Sequence, residues 1–231
     1  MLSRPVRENT LIGSLSAQSR RSLDRDLRDF HLQEQTLLRG SRGVPSIVFP
    51  RTCVISVITR TNDGQTLDNA LVGYEGVFAT PAEALNVNGL VQIAGFAYGL
   101  SHEAFDKHLD NHEFREAISR YSECLLSFAC QSAICQAFHT AEQRLARWLL
   151  SVQDRAQDDE LRLTQEYLAA MLGVHRPTVT IAARILQAAG MIHYRYGRIA
   201  IADRAALEEA ACECYQMVPR PNAASLPAAI K

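Results

Sequence analysis

The sequence predicts an α+β protein with an antiparallel β-roll first, a long helix next, and two short helices with a β-hairpin last. Three observations predict this order. Short β-prone runs fill the first part of the chain, a heptad pattern follows them, and a glycine later joins two amphipathic segments. With 231 residues, 47% of them hydrophobic, the chain can build one large or two modest packed domains. We expect the roll over 1–110, the long helix over 111–138, the C-terminal domain over 139–217 and a disordered tail over 218–231.

Short β-prone runs predict the antiparallel roll. The expected strands occupy residues 47–49, 53–59, 66–72 and 91–98. Asp63 and Gly64 lie between two of these runs and are typical of a hairpin turn, because such turns require residues that accept a positive φ. Short helices are expected in front of the strands, around residues 16–30.

A long helix is predicted over residues 111–137, because apolar side chains there recur at alternating steps of four and three. The recurring positions are Phe114, Ile118, Tyr121, Leu125, Phe128, Ser132 and Cys135. A heptad seam of this kind typically faces a partner helix, so it predicts a parallel homodimer. The alternative is that the helix lies on its own domain. Both can hold, because Leu126, Ala129 and Ala133 form a second apolar stripe.

A further helix is predicted after the long one. Thr140 and Gln143 have the spacing of a capping box. The apolar face of this helix comprises Leu145, Trp148, Leu149 and Val152. The polar and acidic residues 153–160 predict a loop, and the proline- and alanine-rich composition of 218–231 predicts the disordered tail.

Residues 163–192 predict two short helices that cross tightly. Thr164 can cap the first helix. Gly173 supplies the sharp turn, because only glycine enters a left-handed conformation without a side-chain penalty. Ala169 and Ala182 are small enough to let the helices approach at their crossing. This arrangement predicts a helix-turn-helix.

The second helix of the pair begins at Arg176-Pro177, where proline is tolerated because first-turn amides lack an intrahelical partner. Its outward side chains are predicted to be Arg176, Thr178, Thr180, Ile181 and Arg184. A β-hairpin around Tyr196-Gly197 follows and carries Arg195 and Arg198, which can reach phosphates. A last helix is expected from Arg204 to about residue 215. The whole pattern is that of a winged helix-turn-helix, which places its second helix in a DNA major groove.

Charge and hydropathy exclude several classes of protein. The formal net charge of −1 argues against a broad electrostatic mode of nucleic-acid binding, although local basic patches remain compatible with it. No apolar run is long enough to span a membrane, and the N-terminus is not typical of a signal peptide. We therefore expect a cytoplasmic protein without a membrane partner, whose six cysteines are mostly reduced.

The chain resembles the Crp–Fnr superfamily of bacterial transcription regulators. The resemblance is carried by VGYEG at 72–76, RLARWLL at 144–150 and LTQEYLAAMLGVHRPTV at 163–179. It covers about residues 11–215, strongly in the C-terminal part and loosely in the roll. It implies a cyclic-nucleotide-binding-like sensory roll, a homodimer on an inverted-repeat operator in double-stranded DNA, and RNA polymerase as a partner.

The resemblance also implies roles for individual residues. Positions that read bases in the family match Arg176, Pro177, Thr178, Thr180, Ile181 and Arg184. Positions that touch the sugar–phosphate backbone match Thr164, Gln165 and His175. Arg176 falls where a guanine-reading arginine is usual. Pro177 replaces a common glutamate and Ile181 a common arginine, so the operator is expected to differ from the best-known one of the family.

The sensory part departs from the cyclic-nucleotide pattern. Glu75 and Gly76 stand in reversed order, and no arginine occurs between Arg60 and Arg115 to neutralise a cyclic phosphate. A buried phosphate without a cation is very costly, so we do not expect cyclic AMP to bind. The N-terminal cysteine cluster of iron–sulfur sensors is also missing, since Cys53 is the first cysteine. The effector is left open, and no cofactor is expected.

The remaining polar residues predict neither catalysis nor a metal site. Cys212 and Cys214 form a single pair without a second pair or a nearby histidine, which disfavours zinc. No nucleophile elbow or metallohydrolase spacing occurs. The favoured hypothesis is a homodimeric DNA-binding regulator and not an enzyme. The alternative is a small-molecule or redox sensor that acts mainly through protein contacts.

Overall fold

The computed structural model describes residues 8–39, 43–79, 86–156 and 160–217. These residues form two compact units, one from 8–57 with 71–126 and the other from 58–70 with 127–217. The predicted tail at 218–231 lies outside the described residues. Among those described, none of the helices combines the length and the apolar character that crossing a bilayer requires. The mixed helix and sheet composition confirms the predicted fold class.

The first unit contains most of the roll. Its elements in chain order are α1 (Thr10–Gly13), α2 (Ala17–Leu23), β1 (Arg28–Leu32), β2 (Ile47–Pro50), β3 (Val54–Arg60), β4 (Thr66–Val72), β5 (Phe78–Ala79), β6 (Val87–Ile93), β7 (Gly95–Leu100) and α3 (His102–His108). The hairpin between β3 and β4, residues 58–70, belongs to the second unit. One sheet has the order β1-β7-β2-β5 and the other β4-β3-β6. Strand β7 pairs antiparallel with both β1 and β2, and the register places Val48 opposite Gly99.

Two predictions for the roll need correction. The strand predicted over 91–98 is two strands, β6 and β7, that meet at Ala94. Gly95 begins the second strand and lies against residues 52 and 53, where a Cβ would come within 2.6 Å of Thr52 Oγ1. Residues 28–30, expected in a helix, belong to β1. The turn at Asp63-Gly64 is confirmed by the φ of +88° at Gly64.

The long helix α4 spans His112–Phe138, close to the predicted bounds, and runs through both units. In the first unit its side chains Phe114 and Tyr121 belong to the hydrophobic core of the roll. The ring of Tyr121 lies directly over Gly76, where an added Cβ would meet its Cζ at 2.0 Å. Any other residue at position 76 would therefore displace this ring.

The predicted dimer seam on α4 needs a correction. Five of its seven side chains are at most 5% exposed in the single chain, namely Phe114, Tyr121, Phe128, Ser132 and Cys135. Side chains buried in their own chain leave no surface for a partner helix. The burial of these five side chains favours the alternative interpretation, in which α4 lies on its own chain. Ile118 and Leu125 are only partly buried.

Part of the exposed side of α4 is the second apolar stripe. Leu126 is 65% exposed, Ala133 is exposed and Ala129 is half-buried. Ser119 and Ser122 continue the same face toward the start of the helix, at steps of three and four residues, and are exposed. The exposed surface of α4 therefore includes this stripe of small and apolar side chains, together with Ile134 and Phe138 nearer its end.

The second unit contains the remaining helices and one three-stranded sheet. Its elements are α5 (Ala141–Ala156), β8 (Glu160–Arg162), α6 (Gln165–Leu172), α7 (Arg176–Ala188), β9 (Ile192–Arg195), β10 (Arg198–Ile201), α8 (Arg204–Ala210) and α9 (Cys214–Met217). The capping box of α5 is confirmed, since Thr140 N donates to Gln143 Oε1 at 3.1 Å. The helix continues to Ala156, so residues 153–156 are not the predicted loop.

The last predicted helix is broken in two. Asp203 caps α8 as expected, accepting a hydrogen bond from Ala206 N at 3.0 Å. The helix ends at Ala210 because Ala211 is extended, with a ψ of 153°. A short helix α9 then starts at Cys214. The break turns the chain inward and buries Cys212 and Cys214.

Candidate nucleic-acid interface

Helices α6 and α7 form the predicted helix-turn-helix. Thr164 Oγ1 accepts a hydrogen bond from Tyr167 N at 3.2 Å and so caps α6. Gly173 ends α6 in the left-handed conformation with φ 60° and ψ 39°. Ala169 and Ala182 are both buried at the crossing, as their small size predicted. The sequence folds this way locally because the cap, the turn glycine and the small contact residues all favour the same helix pair.

The outer face of α7 presents the predicted residues to solvent. Arg176, Pro177 and Arg184 are exposed, as is His175 just before the helix, while Thr178 and Thr180 are half-buried. Ile181 is 57% exposed and offers an apolar side chain to a contact surface. Ile185, one turn further on, is also exposed and was missed by the sequence reasoning. Its position four residues after Ile181 puts both side chains on the same face of the helix, and this spacing could have identified it.

A hydrogen bond joins the two helices at the start of α7. Thr180 Oγ1 lies 2.9 Å from Gln165 Oε1 and 3.1 Å from the carbonyl oxygen of Arg176. Gln165 is therefore oriented by Thr180 and not only by solvent. This contact brings together a residue predicted to read bases and one predicted to touch the backbone.

The wing is a three-stranded antiparallel sheet with the order β8-β10-β9. Strand β8 was not predicted, because three residues in a polar stretch give no periodic signal. Tyr196 and Gly197 form the tip of the hairpin with φ values of 51° and 73°. Arg195 lies over the ring of Tyr196 at 4.9 Å, and Arg198 is exposed on the next strand. Tyr196 is 87% exposed and is a further surface residue that the sequence reasoning left out.

An open groove of about 560 Å³ lies between the helix pair and the wing. Its lining consists of Thr164, Gln165, Glu166, Arg176, Tyr194, Tyr196 and Gly197. The phenol of Tyr194 donates to the carbonyl oxygen of Leu163 at 3.1 Å, and burial raises its pKa, so it stays neutral at pH 7. A groove with a guanidinium, a hydroxyl and an amide in its wall can hold phosphate oxygens.

One expectation about the cysteines is wrong. Cys212 and Cys214 do have a histidine beside them, because the turn after α8 brings them to His139 at the end of α4. Cys135 joins the same cluster and is fully buried there. Sequence reasoning missed this group because 77 residues separate Cys135 from Cys212.

The comparisons with known proteins agree with this geometry. The family model for the Crp-like helix-turn-helix domain matches residues 143–210. No curated protein sequence matches the chain significantly. Among solved structures, FixK2 from Bradyrhizobium japonicum is similar at a TM-score of 0.65 and 16% identity, covering 80% of this chain and 98% of its own.

Two further structures have the same fold. The c-di-GMP responsive global regulator CLP of Xanthomonas campestris matches with a TM-score of 0.63 and 16% identity, over 80% of this chain and 99% of that one. A CRP/FNR-family transcriptional regulator from Thermus thermophilus matches with a TM-score of 0.63 and 18% identity, over 80% and 98%. The family model confirms the helix-turn-helix part of the resemblance, and the solved structures confirm the fold. The chain carries a Crp-like helix-turn-helix domain within the fold of the Crp–Fnr superfamily of transcription regulators.

Proposed function

We propose that the protein is a sequence-specific DNA-binding transcription regulator that acts as a homodimer. The observation that carries the proposal is the composition of α7. This helix contains two arginines and no acidic residue, in a chain whose net charge is −1. Both arginines are exposed. A helix with a positive, solvent-exposed outer face is what a major groove accepts.

Base reading is assigned to the start of α7. Arg176 is placed to donate two hydrogen bonds to O6 and N7 of a guanine. Pro177 offers no hydrogen-bond acceptor, and Ile181 can contact a thymine methyl group. Thr164, Gln165 and the wing arginines support the helix by contacting phosphates.

The dimer is assigned to the exposed stripe of α4. Leu126 and Ala133 lie on this face, and small residues let two helices approach closely. Two-fold symmetry then sets the half-sites of an inverted repeat about 34 Å apart, one turn of DNA. RNA polymerase is the partner that such a dimer would contact from its operator in the cytoplasm.

The roll is assigned a function other than cyclic AMP binding. No arginine occurs from position 61 to position 114. The ring of Tyr121 covers Gly76, the last residue of the VGYEG segment. Calorimetry with cyclic AMP at millimolar concentration should give no binding heat. A micromolar dissociation constant would mean that another cation neutralises the phosphate, and this part of the proposal would fail.

Selection of bound sequences from random double-stranded DNA tests the main proposal. We expect an inverted repeat with a guanine at a fixed place in each half-site. Enrichment of no sequence, together with capture of DNA only at low salt, would contradict it. Protein-contact signalling would then be the remaining hypothesis.

Light scattering tests the dimer. Leu126→Asp should yield monomers at micromolar concentration, because two carboxylates would meet at the contact. Ser127→Asp is the matched control, since Ser127 is exposed on the neighbouring face of α4. A wild type that is monomeric, or a Leu126→Asp variant that remains dimeric, contradicts this assignment.

A further inference from the structure

Four side chains with metal-binding atoms converge where α4 ends. They are Cys135, His139, Cys212 and Cys214, and their donor atoms all lie within 4.8 Å of one another. Cys135 and His139 are four residues apart on α4 and its final turn, so they lie on one side of the helix. Cys212 and Cys214 reach them from the break between α8 and α9. All four belong to the second unit.

The separations within this cluster match a tetrahedral site. Cys135 Sγ lies 3.5 Å from Cys212 Sγ, and Cys214 Sγ lies 3.4 Å from His139 Nδ1. With zinc–sulfur bonds of about 2.3 Å, neighbouring sulfur ligands of a tetrahedron lie about 3.8 Å apart. A disulfide would need about 2.05 Å between sulfurs. A cluster of two irons would spread its ligands further, because two metals share them.

The surroundings orient the ligands. His139 Nε2 lies 3.3 Å from Glu213 Oε1, so a proton on Nε2 is held by the carboxylate and the lone pair of Nδ1 faces the sulfurs. Carboxylate–histidine pairs of this type accompany zinc ligands in many proteins. Gln131 Nε2 donates to Cys214 Sγ at 3.0 Å and so supports a thiolate there.

The charge balance also favours a bound metal. Three thiolates, one neutral imidazole and one Zn²⁺ together carry one net negative charge. Arg147 is 5% exposed, and its Nε and Nη1 have no hydrogen-bond partner among the described residues. Its charge interacts with the sulfur of Cys135. A negative cluster beside this guanidinium would compensate a cation that is otherwise costly to bury.

We propose that Cys135, His139, Cys212 and Cys214 bind one zinc ion that fastens the end of α4 to the turn between α8 and α9. Binding forms three zinc–sulfur bonds and one zinc–nitrogen bond. It releases three thiol protons to solvent, and no electron is transferred. Four protein ligands fill the coordination shell, so the role is structural and not catalytic.

Metal analysis of the intact protein, purified without chelator, is the first test. We expect about one zinc ion per chain. Replacing zinc by Co²⁺ should give the visible bands of a tetrahedral site and a thiolate-to-cobalt charge-transfer band. Because the bound ion stabilises only the folded state, a strong chelator should lower the melting temperature.

Variants then assign the ligands. Cys214→Ser and His139→Ala should reduce the zinc content to well under half. Cys124→Ser and His112→Ala are the matched controls, since both residues lie on α4 outside the cluster, and they should retain the full content. If the ligand variants fail to fold, the Co²⁺ spectrum of the wild type decides. A wild type without metal and without that spectrum, an iron–sulfur chromophore, or a Cys135–Cys212 disulfide would overturn the proposal. None of these results depends on DNA binding.

Discussion

Arginines occupy two opposite environments in the second unit. Those of α5 are almost completely buried, Arg144 at 9%, Arg147 at 5% and Arg155 at 4% exposed. Those of α7 and the wing are exposed, namely Arg162, Arg176, Arg184, Arg195 and Arg198. The buried ones bond to carbonyl and amide oxygens or stack on Phe128 at 5.4 and 5.8 Å. Burial therefore separates arginines that hold the domain together from arginines that face the solvent.

The largest effect on the free energy of unfolding is expected at Arg144, one of the buried arginines. Arg144 Nη1 donates to the carbonyl oxygen of Leu172, the last residue of α6, at 3.1 Å, and also to Gln136. Arg144→Ala leaves that buried carbonyl without its charged donor, so the free energy of unfolding should fall by about 2–3 kcal/mol. Urea denaturation measures the change. Arg184→Ala is the control and should stay within about 0.5 kcal/mol of the wild type; equal losses in both variants would abolish the distinction.

An effect of similar size, but on DNA affinity, is expected at Arg176. Arg176→Ala should cost about 1–3 kcal/mol on the selected operator and relax the preference at one base pair. Its urea midpoint should stay unchanged because the side chain is exposed. Fluorescence anisotropy with matched and mismatched duplexes measures both quantities. An unaltered motif and affinity would mean that α7 does not enter the groove.

Arg204 is an intermediate case that sharpens the comparison. Its side chain is 40% exposed, yet it pairs with Asp154 at 2.7 Å and with Glu208 at 2.9 Å. It also donates to Tyr215 Oη at 2.7 Å. Arg204→Ala should reduce the free energy of unfolding by about 1–2 kcal/mol and leave the operator affinity of the folded protein unchanged. A loss of operator affinity with an unchanged free energy of unfolding would place Arg204 with the exposed arginines of α7 and the wing.

The smallest effect is expected at Arg198. If this side chain contacts only phosphate, Arg198→Ala should weaken binding to all sequences alike. The slope of log affinity against log salt should then decrease by about one. Binding titrations at several salt concentrations on specific and random duplexes check this. A change confined to one base pair would show that the wing reads sequence.

The sequence predicted the helix-turn-helix well because its signals are local. Gly173 and Thr164 fix a turn and a cap within a few residues, and the structure contains both. The heptad on α4 was interpreted less well, since Tyr121 and Phe128 give the same periodicity whether they face their own chain or a partner. The cluster at Cys135 could not be predicted, because its ligands meet only after Ala211 turns the chain.

The start of α7 has an electrical property that its side chains do not supply. His175 makes no side-chain cap hydrogen bond there, so the macrodipole ends in an unneutralised partial charge of about +0.5. Pro177 removes one amide from that end without reversing its sign. Replacing arginines can therefore reduce the attraction of α7 for phosphate but cannot eliminate it, because part of this attraction belongs to the peptide backbone.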